Sequence, residues 1–206
     1  MKFTRAFARK ALGRRESILA LAFAIPLMFA LSAAAQFSSK PEAVAPYAAT
    51  LMPVVEAMLK LADVGPNDFV IDLGSGDGRL VIAAVGTFKA RGGLGVDIET
   101  SLVKYSNDSA AQAGVADRVQ FREEDLFKTD VSEATVVTIY LFPRAMPRLE
   151  KKLLAELKPG ARVVVHDYPF PGWRPERVVE VKSPDKITST GLPYSQLFLY
   201  KVPQPK

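Results

Sequence analysis

The stretch VIDLGSGDGRL, residues 70–80, decides the fold. An apolar run ends in the acid Asp72, and Gly74, Gly76 and Gly78 follow at alternate positions. Glycines this dense cost backbone entropy, so they imply a tight turn in which something packs against bare main chain. The residues before the turn, FVIDL at 69–73, read as a buried strand. Those after it, from Arg79 to about Lys89, carry VIAAV as the apolar side of a helix. A glycine turn between a strand and a helix marks the carboxyl end of a strand, where open α/β sheets bind ligands.

Working outward, strand and helix alternate. A helix is expected from about Leu51, with Val54, Val55, Met58, Leu59 and Leu61 on one face, then a turn at Gly65-Pro66-Asn67-Asp68. Downstream of the glycine turn lie a strand at 93–98, a helix from Glu99 to Ala113 ending at Gly114, and a short strand at 118–122. Then come a β-branched strand at 134–141, an amphipathic helix at 144–157 despite Pro147, and a strand at 161–166. The proline-broken YPFPGWRP, 168–175, interrupts the pattern, and two strand-like pieces, 177–182 and 195–202, close it as a hairpin at the sheet edge. This order implies an α/β fold: a mostly parallel sheet of seven strands with an antiparallel edge and helices on both faces. No internal repeat and no second domain are evident.

Composition narrows the chemistry. Of 206 residues, none is cysteine and one, His166, is histidine, which removes disulfides, thiolate chemistry and histidine-rich metal sites, so no metal is expected. The net charge of +5 lies entirely in residues 1–35; residues 36–206 carry 21 basic and 21 acidic side chains, so the body lacks the electrostatic footprint of a nucleic-acid binder.

The leader has its own layout. Lys2, Arg5, Arg9, Lys10, Arg14 and Arg15 precede an uncharged run at 18–35 that ends in Ala33-Ala34-Ala35. This is the pattern of a signal peptide cleaved after Ala35, or of a membrane anchor if uncut, since 18 apolar residues just span a bilayer. An Arg-rich, acid-poor leader also suits a mitochondrial address, which would place the domain in the matrix or at the inner membrane. Residues 1–35 are therefore set apart as a leader, 36–45 as a linker and 46–206 as the folded domain.

The glycine turn is a poor dinucleotide motif. Its third glycine comes one residue early, Arg79 holds the fingerprint position, and Asp77 at the mouth of the helix disfavours a pyrophosphate. A different ligand suits the acids. Asp72 can hold an amino or cationic group. Asp97, at the end of the second strand and 21 residues after Gly76, can accept from both hydroxyls of a ribose. Asp125, in FREEDLF, can accept from the exocyclic amine of adenine. Amino group, ribose and adenine together are S-adenosyl-L-methionine.

DLGSGDGR, GVDIE, EEDLF and YLFP, in this order and spacing, resemble the class I S-adenosylmethionine-dependent methyltransferases, whose sheet is Rossmann-like. VIDLGSGDGRLVIAA (70–84), LEKKLLAELKPGARVV (149–164) and PFPGWRP (169–175) are similar to one branch, the lysine N-methyltransferases of the ATP-synthase c-subunit and of the adenine nucleotide translocase, with their bacterial relatives. The resemblance covers roughly residues 46–182. It implies that Asp72, Gly74 and Gly76 hold the methionine part of the cofactor, Asp97 the ribose and Asp125 the adenine. It also implies that Tyr47 and Thr50 lie over the cofactor. Two departures stand out: Asp97 where the family often has glutamate, and Ala48-Ala49 where it has bulkier residues. No Asn/Asp-Pro-Pro-Tyr/Phe tetrapeptide follows strand four, unlike amide and adenine N-methyltransferases of this fold.

The resemblance implies a protein substrate with a lysine acceptor, a membrane protein among the candidates, and the charge balance of residues 36–206 implies no nucleic-acid partner. A lysine attacks a methyl sulfonium only when neutral, and its ordinary pKa is about 10.4. Desolvation in an aromatic channel and the nearby sulfonium lower it. Tyr140, Phe142, Phe170 and Trp173, at the ends of strands four and five, are the expected mouth. Tyr140 and Asp167 are the candidate catalytic residues; Asp167, His166 or water takes the proton, with His166 more suited to a structural role. Two other readings stay open: a small-molecule methyltransferase, and an exported, catalytically silent binding module of the same fold. The second arises because positive charge before the apolar run directs the domain outward, away from the cytoplasmic cofactor supply.

Overall fold

The computed structural model describes residues 47–184 and 193–204. The leader and linker, residues 1–45, lie outside the described residues. Among the described residues no helix is long and apolar enough to cross a membrane.

The elements, in chain order, are α1 (Met52–Leu61), β1 (Phe69–Leu73), α2 (Arg79–Gly86), β2 (Gly92–Asp97), α3 (Thr100–Gln112), β3 (Val119–Glu123) and β4 (Val136–Ile139). A 3-10 turn at Pro143–Ala145 follows, then α4 (Met146–Glu156), β5 (Arg162–His166), β6 (Arg177–Lys182) and β7 (Tyr194–Lys201). The seven strands form one sheet in the order β3-β2-β1-β4-β5-β7-β6. Strands β1 to β5 pair in parallel, and β7 runs antiparallel between β5 and β6. The expected closing hairpin is present, but its second strand is inserted into the sheet and its first, β6, forms the edge. The strands explain this: β7 is buried along most of its length, whereas β6, with Arg177, Glu180 and Lys182, is mostly exposed. Charged residues on an edge strand discourage pairing with other chains.

Period-two alternation divides the core. Val70, Val136 and Val164 face one side with Val54, Val55, Met58 and Leu59 of α1, Val81 and Val85 of α2, and Ala110 of α3. Ile71, Leu73, Val137, Ile139, Val163 and Val165 face the other with Met146, Leu149 and Leu153 of α4. Strands β1, β4 and β5 are covered on both faces, which is why they read as unbroken apolar runs rather than alternating ones.

Proline placement sharpens the boundaries. Pro147 lies in the first turn of α4, where a missing N–H costs nothing, so the helix begins at Met146 after a 3-10 turn rather than at Arg144. Pro53 occupies the same place in α1. Helix α2 stops at Gly86, three residues short of the expected end, and Lys89 leaves in a left-handed conformation.

At the amino ends of the strands, the guanidinium of Arg162 pairs with Asp68 and donates to the main-chain oxygen of Asp63 at 2.9 Å. Asp68 also accepts from Thr135 Oγ1 at 2.7 Å and from the Gly65 amide at 2.8 Å. This polar clasp fixes the turn after α1 to β1, β4 and β5, and leaves the carboxyl ends of the strands for the site.

Candidate active site

The glycine turn is built as its sequence requires. Gly74, Gly76 and Gly78 have φ of 85°, 53° and 79°, a region that favours glycine. The turn is tied to β2, because the amides of Gly74 and Ser75 both donate to the Val96 oxygen at 2.9 Å. It is tied to α3 as well, because buried Ser106 donates from Oγ to the Gly76 oxygen at 2.9 Å. A methyl on Gly78 would lie 2.5 Å from the Phe121 ring, so this glycine serves the packing of the turn on β3.

Asp97 works in the protein before any ligand arrives. One carboxylate oxygen accepts from the Gly76 amide and the other from the Glu99 amide, both at 3.0 Å. A carboxylate has about four lone-pair sites, so capacity for two further hydroxyls remains. Asp125 accepts from the Phe127 amide at 2.9 Å, a local turn that presents the acid at the end of β3.

Asp72 is buried, and its partner is Thr138, which stands opposite it in the β1–β4 register and donates to it at 2.7 Å. Burial pushes the Asp72 carboxyl up to about 7, with Asp97 and Asp77 adding to the rise and the Thr138 hydrogen bond opposing it. Three acids converge here, and Arg79 pairs with Asp77. The arrangement suits a cationic ligand, because a positive group would repay the desolvation of Asp72.

These parts enclose one cavity of about 700 Å³, within the range of small-molecule and cofactor sites. Of the residues expected from sequence, Tyr47, Thr50, Asp72, Gly74, Gly76, Asp97, Asp125 and Tyr140 all line it. Sequence reasoning missed Thr138 and Ser106, which hold the acid and the turn, and also the apolar wall formed by Leu80, Ile98, Leu102, Leu126 and Phe127. Ser106 left a signal, a serine on the buried side of a helix. Arg144 and Arg148 stand at the same cavity, Arg148 with its guanidinium 3.9 Å over the Phe127 ring. The cavity fits S-adenosylmethionine in chemistry: acids for the ammonium and sulfonium, Asp97 beside the turn for a ribose, and an apolar slot beside Asp125 for a purine.

The acceptor side differs from expectation. Tyr140 lines the cavity, stacks on His166 at 3.9 Å between centroids, and hydrogen-bonds Asp167. Burial and the Asp167 charge push its hydroxyl up to about 12, so it stays protonated near neutrality. Asp167 lies behind Tyr140 rather than in the cavity lining; it has φ of 65° and accepts from the Gln196 amide at 3.0 Å. His166 is buried, with Nε2 2.8 Å from Ser195 Oγ. Phe142 is exposed and meets Tyr168 edge-on, outside the lining.

Phe170 and Trp173 do not form a mouth. They stack on one another at 5.6 Å and against Tyr200 of β7, whose hydroxyl accepts from the Phe170 amide at 3.0 Å. The loop that follows β5 folds back over the α4 face of the sheet and needs apolar cover there, and Glu150 of α4 pins it at the Gly172 amide. PFPGW is thus a packing motif in this chain.

Residues 72–177 match the family model of the ANTKMT methyltransferase domain. A protein-lysine N-methyltransferase of Saccharolobus islandicus is 39% identical over 66% of this chain and 85% of its own. A lysine N-methyltransferase of the ATP synthase c-subunit, from Xenopus laevis, is 39% identical over 65% of this chain and 58% of its own, so the chain spans little more than half of that relative. Among solved structures, one described as an RNA methyltransferase from Salinibacter ruber in complex with S-adenosyl-L-homocysteine is 43% identical, with a TM-score of 0.69 over 77% of this chain and 96% of that one. With its candidate cofactor residues gathered around one cavity, the chain belongs to the ANTKMT methyltransferase family and is an S-adenosylmethionine-dependent methyltransferase.

Proposed function

We propose that the protein methylates the ε-amino group of a lysine in a protein substrate. The observation that carries this reading is the acceptor side of the cavity. There Tyr140 presents a hydroxyl that stays protonated, is held by Asp167 and is backed by His166. S-adenosylmethionine supplies the electrophilic methyl group. Tyr140 donates its hydrogen bond to Asp167, which leaves its oxygen lone pairs to accept an N–H from the incoming amine and aim the nitrogen. The apolar wall strips water from the amine and favours its neutral form. Asp72, Asp97 and Asp125 hold the cofactor, and alignment of the two partners supplies a large part of the rate. Asp167, one hydrogen bond behind Tyr140, takes the released proton through the Tyr140 hydroxyl. The relatives named for lysine methylation support the acceptor.

A second reading, RNA, is favoured by the Salinibacter ruber relative and by Arg144 and Arg148 at the cavity. Against it, residues 36–206 carry no net positive charge, and binding to a phosphate backbone depends on basic excess.

The leader supports a place at a membrane. An uncharged run at 18–35 behind six basic residues anchors or addresses the chain there, which would bring membrane proteins within reach of the site. N-terminal sequencing of the mature protein tests this: an intact Met1 supports an anchor, and a start after Ala35 supports a cleaved signal.

The test of the acceptor is a labelling experiment. The full chain is incubated with methyl-labelled S-adenosylmethionine and a membrane-containing extract, and the label is followed through ribonuclease and protease digestion. Label that survives ribonuclease and is recovered as methyl-lysine supports the proposal. Label released by ribonuclease would replace lysine with RNA.

A further inference from the structure

Arg79 stands where a dinucleotide fingerprint would have its last glycine, and the structure gives it a different task. Its Nε donates to both carboxylate oxygens of Asp77, at 2.8 and 2.9 Å, and Nη2 pairs with the same group. Its Nη1 donates to the main-chain oxygen of Thr50 at 2.9 Å. One guanidinium therefore joins the turn after β1 to the extended segment Tyr47–Thr50 that precedes α1. Tyr47 makes the same connection and also hydrogen-bonds Arg79. Its ring lies so close to the turn that a methyl on Gly76 would be 2.7 Å from Cε2. Its hydroxyl hydrogen-bonds Asp77.

This segment belongs to neither helix nor sheet, and every residue of it lines the cofactor cavity. Tyr47 is 52% exposed, so apolar burial contributes little to holding it down. Side-chain contacts to the glycine turn hold it instead. Asp77 keeps the Arg79 fork rigid, with the two side chains only 16% and 31% exposed, so the guanidinium is turned toward the strap, where it meets the Thr50 carbonyl and the Tyr47 hydroxyl.

We propose that Arg79, locked by Asp77, is the latch of a strap formed by Tyr47–Thr50, a positioning residue that holds this strap over bound cofactor and slows its release without itself being a cofactor ligand. The inference rests on the cofactor cavity alone, so a finding that the acceptor is RNA leaves it intact. It accounts for the Asp77-Gly78-Arg79 sequence, which would be unfavourable at a pyrophosphate site. Here the acid is needed to orient the arginine and the arginine to hold the strap.

A double-mutant cycle on the full chain tests it, with S-adenosyl-L-homocysteine as the probe. Arg79→Met is expected to weaken binding about tenfold, as for one charge-assisted hydrogen bond. It should also speed amide hydrogen exchange in residues 47–52 of the ligand-bound protein. Tyr47→Ala loosens the strap from its other end. If the latch acts through the strap, adding Arg79→Met to Tyr47→Ala weakens binding no further. Losses that multiply to about a hundredfold, or an Arg79→Met protein that binds and exchanges like the parent, would overturn the proposal. If the Arg79→Met chain fails to fold, Arg79→Lys replaces it in the cycle. That substitution keeps the charge but cannot grip both Asp77 oxygens while reaching Thr50, and the same outcomes decide.

Discussion

Single side chains set the pH behaviour of this site. Asp72, raised to about 7 by burial, has an ordinary unfolded value of about 3.9. The folded chain therefore binds this proton more tightly than the unfolded one, and the contribution of Asp72 to stability falls as pH rises from about 4 to about 7, then stays level. That slope should be visible in denaturant unfolding of the cofactor-free protein and absent in Asp72→Asn. Cofactor affinity has the opposite trend, because a cation prefers the ionised acid: it should fall by up to about tenfold per unit as pH drops below 7. In Asp72→Asn it should be weak and flat across the same range. Thr138→Val removes the hydrogen bond that stabilises the carboxylate, so the inflection should move to higher pH. At the acceptor side, Tyr140→Phe keeps the His166 stack and loses the hydroxyl. Turnover should fall about tenfold to a thousandfold, while S-adenosylhomocysteine affinity changes little. An equal loss in both would place Tyr140 in cofactor binding alone. Asp72, Asp97 and Asp125 were legible in the sequence because acids at strand ends stand out against apolar runs. Thr138 was not, because a threonine inside a β-branched strand reads as an ordinary strand residue.

At the scale of elements, β2, β3 and the glycine turn pack closely where they cross. Gly95 of β2 lies under Phe121 of β3, and a methyl there would come within 2.4 Å of the ring and 2.8 Å of Ser75 Cβ. Gly95→Ala should cost about 1–3 kcal/mol by overpacking, read by urea unfolding. Pairing it with Phe121→Leu should recover part of that loss, and failure to recover any would put the strain at Ser75 instead. Every helix and strand among the described residues was legible in the sequence, because the periods of 3.6 and 2 are strong where elements are buried on one or two faces. Boundaries were less so. The first turn of α4 became a 3-10 turn because Pro147 sets where the helix can start, and periodicity alone does not weigh proline by position. The order of β6 and β7 was not legible either. Two strand-like pieces predict a hairpin but not which of them enters the sheet; that follows from the apolar length of β7.

For the whole molecule, the parallel sheet follows from strand–helix alternation, and the ligand site from where the glycine turn must lie in such a sheet. The acceptor side was only partly legible. Phe170 and Trp173 read as a channel because aromatic residues follow a strand end, yet closing the α4 face around Tyr200 claims them first. Sequence cannot distinguish these uses, since both need large apolar rings near β5. All five net positive charges lie in residues 1–35, which leaves residues 36–206, with the cavity, electrically balanced. The measurement that tests the central claim most directly is a calorimetric titration of the full chain with S-adenosylmethionine, beside Asp97→Ala. The expected result is saturable one-to-one binding to the parent in the micromolar range and a loss of at least about a hundredfold in the variant, in which both the ribose acceptor and the tie to the Gly76 amide are gone. Binding that is absent from the parent, or equal in the two proteins, would contradict the assignment of this cavity to the cofactor.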